Sequence, residues 1–150
     1  MSKPIIWLID TSIITNILDI PGKNQDKLEV REDFKNRIKN KDSFFLPYAT
    51  LVETGNFIAQ LNGDLKRIKS LEFAEQIKLA LDNQAPWKPL KFPEKESLSL
   101  NINKFPEFAS KGIGFGDFSI IQDWEEQRNA FQAFAVKIWS LDKALQGYES

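Results

Sequence analysis

The chain contains neither histidine nor cysteine in its 150 residues. Without histidine, the Ser-His-Asp and Cys-His hydrolase mechanisms and histidine-ligated metal sites are excluded. Without cysteine, there is no disulfide, no thiolate zinc site and no cysteine nucleophile. Any hydrolysis must therefore use carboxylates, lysine or water activated by a metal ion. Oxygen ligands alone favour Mg²⁺, Mn²⁺ or Ca²⁺ over zinc.

Long hydrophobic runs are also lacking, and no charged-then-apolar leader appears at the N-terminus. We therefore expect no membrane span and a cytoplasmic location. The length suits a single domain over residues 1–150 with a sizeable core. The formal net charge is −1. Setting four acids aside as a metal site leaves +3 for the rest, so overall charge argues neither for nor against a nucleic-acid partner.

Short apolar runs alternate with helical patterns along the chain. Continuous apolar stretches at 4–9, 43–47 and 134–139 predict buried strands, whereas 83–93, with three prolines, predicts an irregular connection. Helices are predicted over 27–40, with one buried apolar stripe, and over 50–61, 64–82, 94–103 and 117–128, with a last turn at 141–145. Strands that alternate with helices indicate an α/β fold with a central parallel sheet.

Four acids stand at the ends of these elements. Asp10 ends the first strand, Glu53 lies just inside a helix, Asp117 opens a helix after a glycine-rich loop, and Asp142 follows the last strand. The carboxyl ends of parallel strands line one edge of a sheet, where ligands bind. Carboxylates gathered there repel one another, and a divalent cation offsets that repulsion. The pattern predicts an Mg²⁺ or Mn²⁺ site suited to phosphodiester chemistry.

Four motifs carry a family resemblance. They are Ile9-Asp10-Thr11-Ser12, residues 52–56 (Val-Glu-Thr-Gly-Asn), residues 116–121 (Gly-Asp-Phe-Ser-Ile-Ile) and residues 139–145 (Trp-Ser-Leu-Asp-Lys-Ala-Leu). In this order and spacing the chain resembles the PIN-domain ribonucleases, and the small prokaryotic toxins of toxin–antitoxin pairs in particular. The resemblance implies a PIN-like three-layer α/β/α sandwich that hydrolyses RNA with Mg²⁺ or Mn²⁺. The partners that the resemblance implies are RNA, an antitoxin protein and, in a homodimer, a second copy of the chain.

Site residues follow from the same resemblance. It implies that Asp10, Glu53, Asp117 and Asp142 are the catalytic metal ligands. Three polar residues would orient them or the substrate, namely Ser12, Asn56 and Ser140. Lys111, beside the loop before Asp117, is our candidate for an RNA phosphate contact. Members of this family often continue into a further strand, so we expect that final edge strand to be missing or shortened here.

Each of these residues also has a structural explanation. Asp10, Asp117 and Asp142 suit helix N-caps, and Glu53 suits the positive end of a helix dipole. Asn56 and Lys111 suit a solvated surface. The glycines at 112, 114 and 116 do not form a dinucleotide-binding loop, since residue 117 is Asp and no clear strand precedes them.

Two other functions fit parts of the pattern. One is a PIN-fold binding module with weak or no catalysis, although such a module would be expected to lose an acid. The other is a small-molecule phosphatase on a similar sheet, since an Asp at the end of a first strand serves there as a nucleophile. Those phosphatases resemble Asp-x-Asp, however, and position 12 here is Ser.

Overall fold

An all-parallel sheet lies at the centre of a computed structural model that describes residues 3–148. Its strands within this range are β1 (Ile5–Ile9), β2 (Ser43–Leu46), β3 (Trp87–Pro89) and β4 (Ala135–Trp139), in the order β3-β2-β1-β4. β1 is central, because it pairs with β2 on one side and with β4 along its whole length on the other. All four carboxyl ends therefore point to one edge of the sheet.

Helices connect the strands and cover the sheet. They are α1 (Thr11–Ile17), α2 (Lys27–Lys39), α3 (Tyr48–Ala59), α4 (Asp64–Leu81), α5 (Lys95–Asn101), α6 (Phe105–Ser110) and α7 (Phe115–Ala130), with a 3₁₀ turn at Ile102–Lys104 between α5 and α6. No helix within residues 3–148 combines the length and apolar character needed to cross a bilayer.

Side chains that alternate along the strands build two cores. On one face, Trp7 and Ile9 of β1 pack with Trp87 and Trp139 and with residues of α1 and α2. On the other face, Ile6 and Leu8 pack with Val136, Ile138 and the α7 residues Ile120, Ile121 and Trp124. Both faces of the sheet are thus buried, as parallel sheets require. The predicted α/β class, with a central parallel sheet in a three-layer α/β/α sandwich, is confirmed.

The irregular connection predicted for residues 83–93 contains a strand. Trp87, Lys88 and Pro89 pair with Phe44, Phe45 and Leu46 of β2. Pro89 is tolerated because β3 is an edge strand, where a residue without an N–H removes no hydrogen bond to a second neighbour. At the opposite edge, no strand follows β4 in the part of the chain described; instead the Ile138 N–H donates to the carbonyl of Tyr148 at 3.0 Å.

Several helix boundaries differ from the predictions. α3 begins at Tyr48, two residues early, and α7 begins at Phe115 with Gly114 as its N-cap. α6 was not predicted, and the predicted last helical turn at 141–145 consists of turns. The boundary errors at α3 and α7 matter most, because they change where Glu53 and Asp117 lie in their helices.

The buried stripe predicted on α2 is present only in part. Val30 is buried and Phe34 packs against the core, but Leu28 is 82% exposed and Ile38 is 44% exposed. On α4, too, the regularly spaced leucines lie outside, with Leu71 59% and Leu81 66% exposed. These helices contact the sheet through short segments around Val30 and Ala80. Other apolar residues, although their spacing is typical of a buried helix face, therefore remain exposed to solvent.

Candidate metal and phosphodiester site

The end of β1 places Asp10 at the centre of the carboxyl edge. Its backbone N–H donates to the Trp139 carbonyl at 3.0 Å, which continues the pairing of β1 with β4 by one residue. The chain then turns into α1, and Asp10 is the N-cap of that helix, with a weak bond from the Ser12 N–H at 3.4 Å. Asp10 is therefore the helix N-cap that the sequence predicts, and its carboxylate also faces the cleft described below.

Two serine hydroxyls fix one oxygen of that carboxylate. Ser12 Oγ donates to Asp10 Oδ2 at 2.8 Å, and Ser140 Oγ donates to the same oxygen at 2.7 Å. The other oxygen, Asp10 Oδ1, is buried and has no hydrogen-bond partner among residues 3–148. A buried ionisable oxygen without a partner is costly, so this atom marks a position where a cation would be stabilising.

Glu53 reaches the same place from α3. Thr50, fully buried on α3, donates its hydroxyl to the Ile9 carbonyl at 2.7 Å and ties the helix to the end of β1. The Thr11 hydroxyl donates to Glu53 Oε2 at 2.9 Å. Glu53 lies in the second turn of α3, not the first as predicted, since the helix begins at Tyr48. Pairing with the helix dipole fades beyond the first turn, so that structural explanation is weakened.

Gly116 makes room for Glu53. A Cβ built at Gly116 would overlap Glu53 Oε1, so α7 approaches the acid at a residue without a side chain. Gly116 lies inside α7 and its neighbour Asp117 lies in the first turn, so the predicted N-cap role of Asp117 is wrong. The glycine instead lets the two acid-bearing helices meet.

Asp117 is the most perturbed acid of the group. Burial raises its pKa to about 7, and the charges of Asp10, Asp142 and Glu53, with a hydrogen bond to Asp142, act in the same direction. Burial also raises the pKa of Glu53, against the lowering effect of the bond from Thr11. Both shifts arise because burial, and after it the neighbouring like charges, disfavours the ionised form.

Asp142 belongs to the turn after β4. Its Oδ1 accepts the Ala144 N–H at 3.0 Å, and its own N–H donates to Ser140 Oγ at 2.9 Å. Asp142 therefore caps a turn, and not the helical turn predicted at 141–145, since residues 143–147 form turns. The hydrogen bond to Asp117 places it beside the other acids as well.

A cleft of about 310 Å³ gathers all four predicted acids on its wall. The other polar residues that line it are Thr11, Ser12, Thr15, Asn16, Lys23, Gln25 and Asp26. Among the described residues, Lys23 is the one cation that lines the cleft, and the Lys23 ammonium lies 4.5 Å from the centroid of the Phe57 ring, which also lines it. Among residues 3–148, no three carboxylates already stand in an arrangement that would hold a metal ion.

The donor set nevertheless suits a hard divalent cation. The four acids offer carboxylate oxygens, which are the ligands preferred by Mg²⁺ and Mn²⁺. The hydroxyl bonds leave Asp10 Oδ1 without a hydrogen-bond partner, and Asp117 is destabilised in its ionised form by its neighbours. A cation would relieve both.

Three predicted residues do not line the cleft. Ser140 is buried and acts through its bond to Asp10, Asn56 is exposed on α3, and Lys111 is exposed after the last residue of α6. Sequence reasoning missed Lys23, which follows the Pro21–Gly22 turn, and the Thr11 bond to Glu53. The Thr11 hydroxyl was visible beside Asp10 in the sequence, whereas nothing local indicates that Lys23 faces the acids.

No family model matches this chain, and no curated protein matches it either. The resemblance to PIN domains rests on the four sequence motifs alone.

In metal-free buffer, we expect stability to fall as pH rises from about 4 to about 7. The folded protein retains the Asp117 proton over this range, because its pKa is raised to about 7 from 3.8, and the unfolded chain does not. Asp117→Asn should therefore be more stable than wild type near pH 8 by roughly 1–2 kcal/mol, after allowing for solvent screening of a half-exposed group, with no gain near pH 4. Urea unfolding with a chelator present measures this. Glu125→Gln, an exposed change on the same helix, is the control, and an equal gain in both variants would contradict the assignment.

Proposed function

We propose that this protein is a cytoplasmic, metal-dependent endoribonuclease that hydrolyses RNA phosphodiester bonds. The observation that carries the proposal is the unpartnered Asp10 Oδ1, buried at the end of β1 in a cleft lined by Glu53, Asp117 and Asp142. The motif resemblance to PIN-domain ribonucleases supports it independently. Asp10, Glu53, Asp117 and Asp142 would hold one or two Mg²⁺ or Mn²⁺ ions.

The bound cation would supply an activated water and offset charge on the leaving oxygen. The contribution of the chain is to hold the carboxylates in position. Ser12 and Ser140 orient Asp10, and Thr11 orients Glu53, by bonds of 2.7–2.9 Å. Hydroxyl donors fix these groups without adding charge of their own, so the negative potential that attracts a cation is preserved. Binding requires the four side chains to close by small movements upon the ion.

Lys23 and Phe57 suit the substrate rather than the metal. The Lys23 ammonium lies over the Phe57 ring at the cleft. An ammonium can contact a phosphate of single-stranded nucleic acid, and an aromatic ring can contact a base. The cleft is otherwise strongly acidic and would repel a phosphate without a cation. Lys23 thus replaces Lys111 as the cation best placed to meet RNA.

The biological setting we propose is that of a toxin silenced by an antitoxin protein, with dimerisation as a further step. The resemblance alone supports this part. An antitoxin would plug the acidic cleft with a basic side chain, since arginine pairs bidentately with carboxylates.

Metal binding and cleavage should depend on the same acids. Mn²⁺ or Mg²⁺ should raise the melting temperature of wild type by mass action, and the rise should shrink in Asp10→Asn. Asp10→Asn, Glu53→Gln and Asp117→Asn should each lower cleavage of single-stranded RNA by roughly 10²-fold or more, and Asp142→Asn by less. Calorimetry and a fluorogenic RNA assay measure the two effects, with Glu125→Gln as the matched control.

If neither metal changes the melting temperature, the proposed metal site is wrong. Release of phosphate from a chromogenic ester without RNA cleavage would favour the phosphatase, and RNA binding without cleavage would favour the binding module. Expression of wild type, but not of Asp10→Asn, should arrest bacterial growth. Arrest by both would mean that the toxicity is not nucleolytic.

Gly116→Ala tests the geometry without removing an acid. The added methyl would displace Glu53 Oε1, whereas alanine suits a helix better than glycine, so the fold should persist. We expect RNA cleavage to fall by about tenfold or more, because small displacements of catalytic groups are costly. In Gly114→Ala the added Cβ meets nothing within 4 Å, which makes it the matched control. Full activity in Gly116→Ala would show that this gap does not position Glu53.

Lys23→Ala should weaken RNA binding and reduce the salt dependence by about one unit of slope, since one phosphate contact is lost. Lys111→Ala, the change suggested by sequence alone, should alter binding less because Lys111 lies outside the cleft. Fluorescence anisotropy with labelled RNA, in the inactive Asp117→Asn background, measures both. If Lys111→Ala weakens RNA binding more than Lys23→Ala does, the RNA binds near α6 and not along the cleft.

A further inference from the structure

A second acidic cavity, of about 460 Å³, lies six residues farther along α7 from Asp117. We call it the Asp123 cavity. Asp123 and Glu126 line it from α7, Lys91 and Phe92 from the segment after β3, and Glu94 and Ser97 from the start of α5. It shares no lining residue with the acid cleft, and the proposed ribonuclease chemistry makes no use of it.

Asp123 is the unusual member of this cavity. It is 5% exposed, yet no hydrogen bond or ion pair of its carboxylate is present within residues 3–148. Burial, and then the charge of Glu126, raise its pKa to about 7. A buried carboxylate without a partner destabilises the fold, and such groups concentrate at binding sites. A ligand cation would supply the missing partner.

The walls define the chemistry of that ligand. Asp123, Glu126 and Glu94 supply carboxylate acceptors, and the Ser97 hydroxyl adds another acceptor, so the ligand carries N–H donors and positive charge. Leu90, Phe92 and Pro93 supply apolar surface for a short carbon chain. The volume exceeds the needs of a bare ion, whose ligands must converge at about 2.0–2.6 Å.

We propose that the Asp123 cavity binds a small aliphatic amine or guanidine, with its cationic head against Asp123 and its carbon chain against the apolar wall. Lys91 is the lining cation, and the ion pairs of the described residues do not join it to Asp123 or Glu126. Lys91 is exposed, and its charge repels a second cation. Lys91 therefore weakens binding of the ligand and contributes no contact to it.

Calorimetric titration of the full chain with n-butylguanidinium, near pH 8, tests the proposal. We expect saturable binding that weakens by about tenfold or more in Asp123→Asn, since a charge-assisted hydrogen bond is lost. Glu125→Gln removes the same charge from an exposed neighbour outside the cavity and should change affinity by less than about twofold. Lys91→Ala should strengthen binding a few-fold because a like charge is removed.

Three outcomes would overturn the proposal. Equal binding of neutral n-butylurea would reduce the cavity to an apolar pocket and overturn the proposal. So would unchanged affinity in Asp123→Asn, or a site that takes Mg²⁺ in preference to the guanidinium. Asp123→Asn should fold, since it removes an unpaired buried charge, and its melting temperature near pH 8 should exceed that of wild type. Ribonuclease activity is not a readout here, so failure of this proposal and failure of the proposed function remain separate.

Discussion

Repulsion between buried like charges is the constraint on which the carboxyl edge of this sheet depends. Burial raises the free energy of ionising Glu53 and Asp117, and the charges of their acidic neighbours add to that cost. Such groups stay together only where the backbone and neutral donors hold them. Here β1 and β4 hold Asp10, Thr50 ties α3 to the Ile9 carbonyl, and hydroxyls orient the carboxylates. A lysine in place of Ser12 would stabilise the acids more and remove their affinity for a cation.

The centre of the site could be predicted because it lies where buried strands end. A continuous apolar run gives the position of Asp10, and a second run gives Ser140 and Asp142, since parallel strands share one edge. The positions of the two acids that lie on helices, Glu53 and Asp117, were harder to predict. Glu53 lies a turn deeper than predicted because α3 begins directly after Pro47, and Asp117 lies inside α7 because Gly116 is helical. The reason for that glycine is a contact with Glu53, sixty-three residues earlier, which no local pattern contains.

Other differences come from conformations that short-range patterns do not define. Lys23 enters the cleft after a turn in which Asp19 and Gly22 both have positive φ, so its direction could not be read from spacing. β3 was missed because its proline is acceptable only at a sheet edge, which is a property of the assembled sheet. Asp123 lies six residues after Asp117 on α7 and does not line the acid cleft; its own cavity is formed by a loop and a helix start that come from elsewhere in the chain.

The division of the tryptophans between the two faces of the sheet gives each layer its own spectroscopic reporter. Trp7, Trp87 and Trp139 lie in the core beneath α1 and α2, with the Arg37 guanidinium 3.9 Å from the ring centroids of Trp7 and Trp139. Trp124 belongs to α7 itself and lies in the other core, edge-on to Tyr148. Fluorescence from a Trp124→Phe protein would thus follow one half of the sandwich. The difference from wild type would follow the helix that carries Asp117, so detachment of that helix from the sheet could be timed separately from loss of the sheet itself.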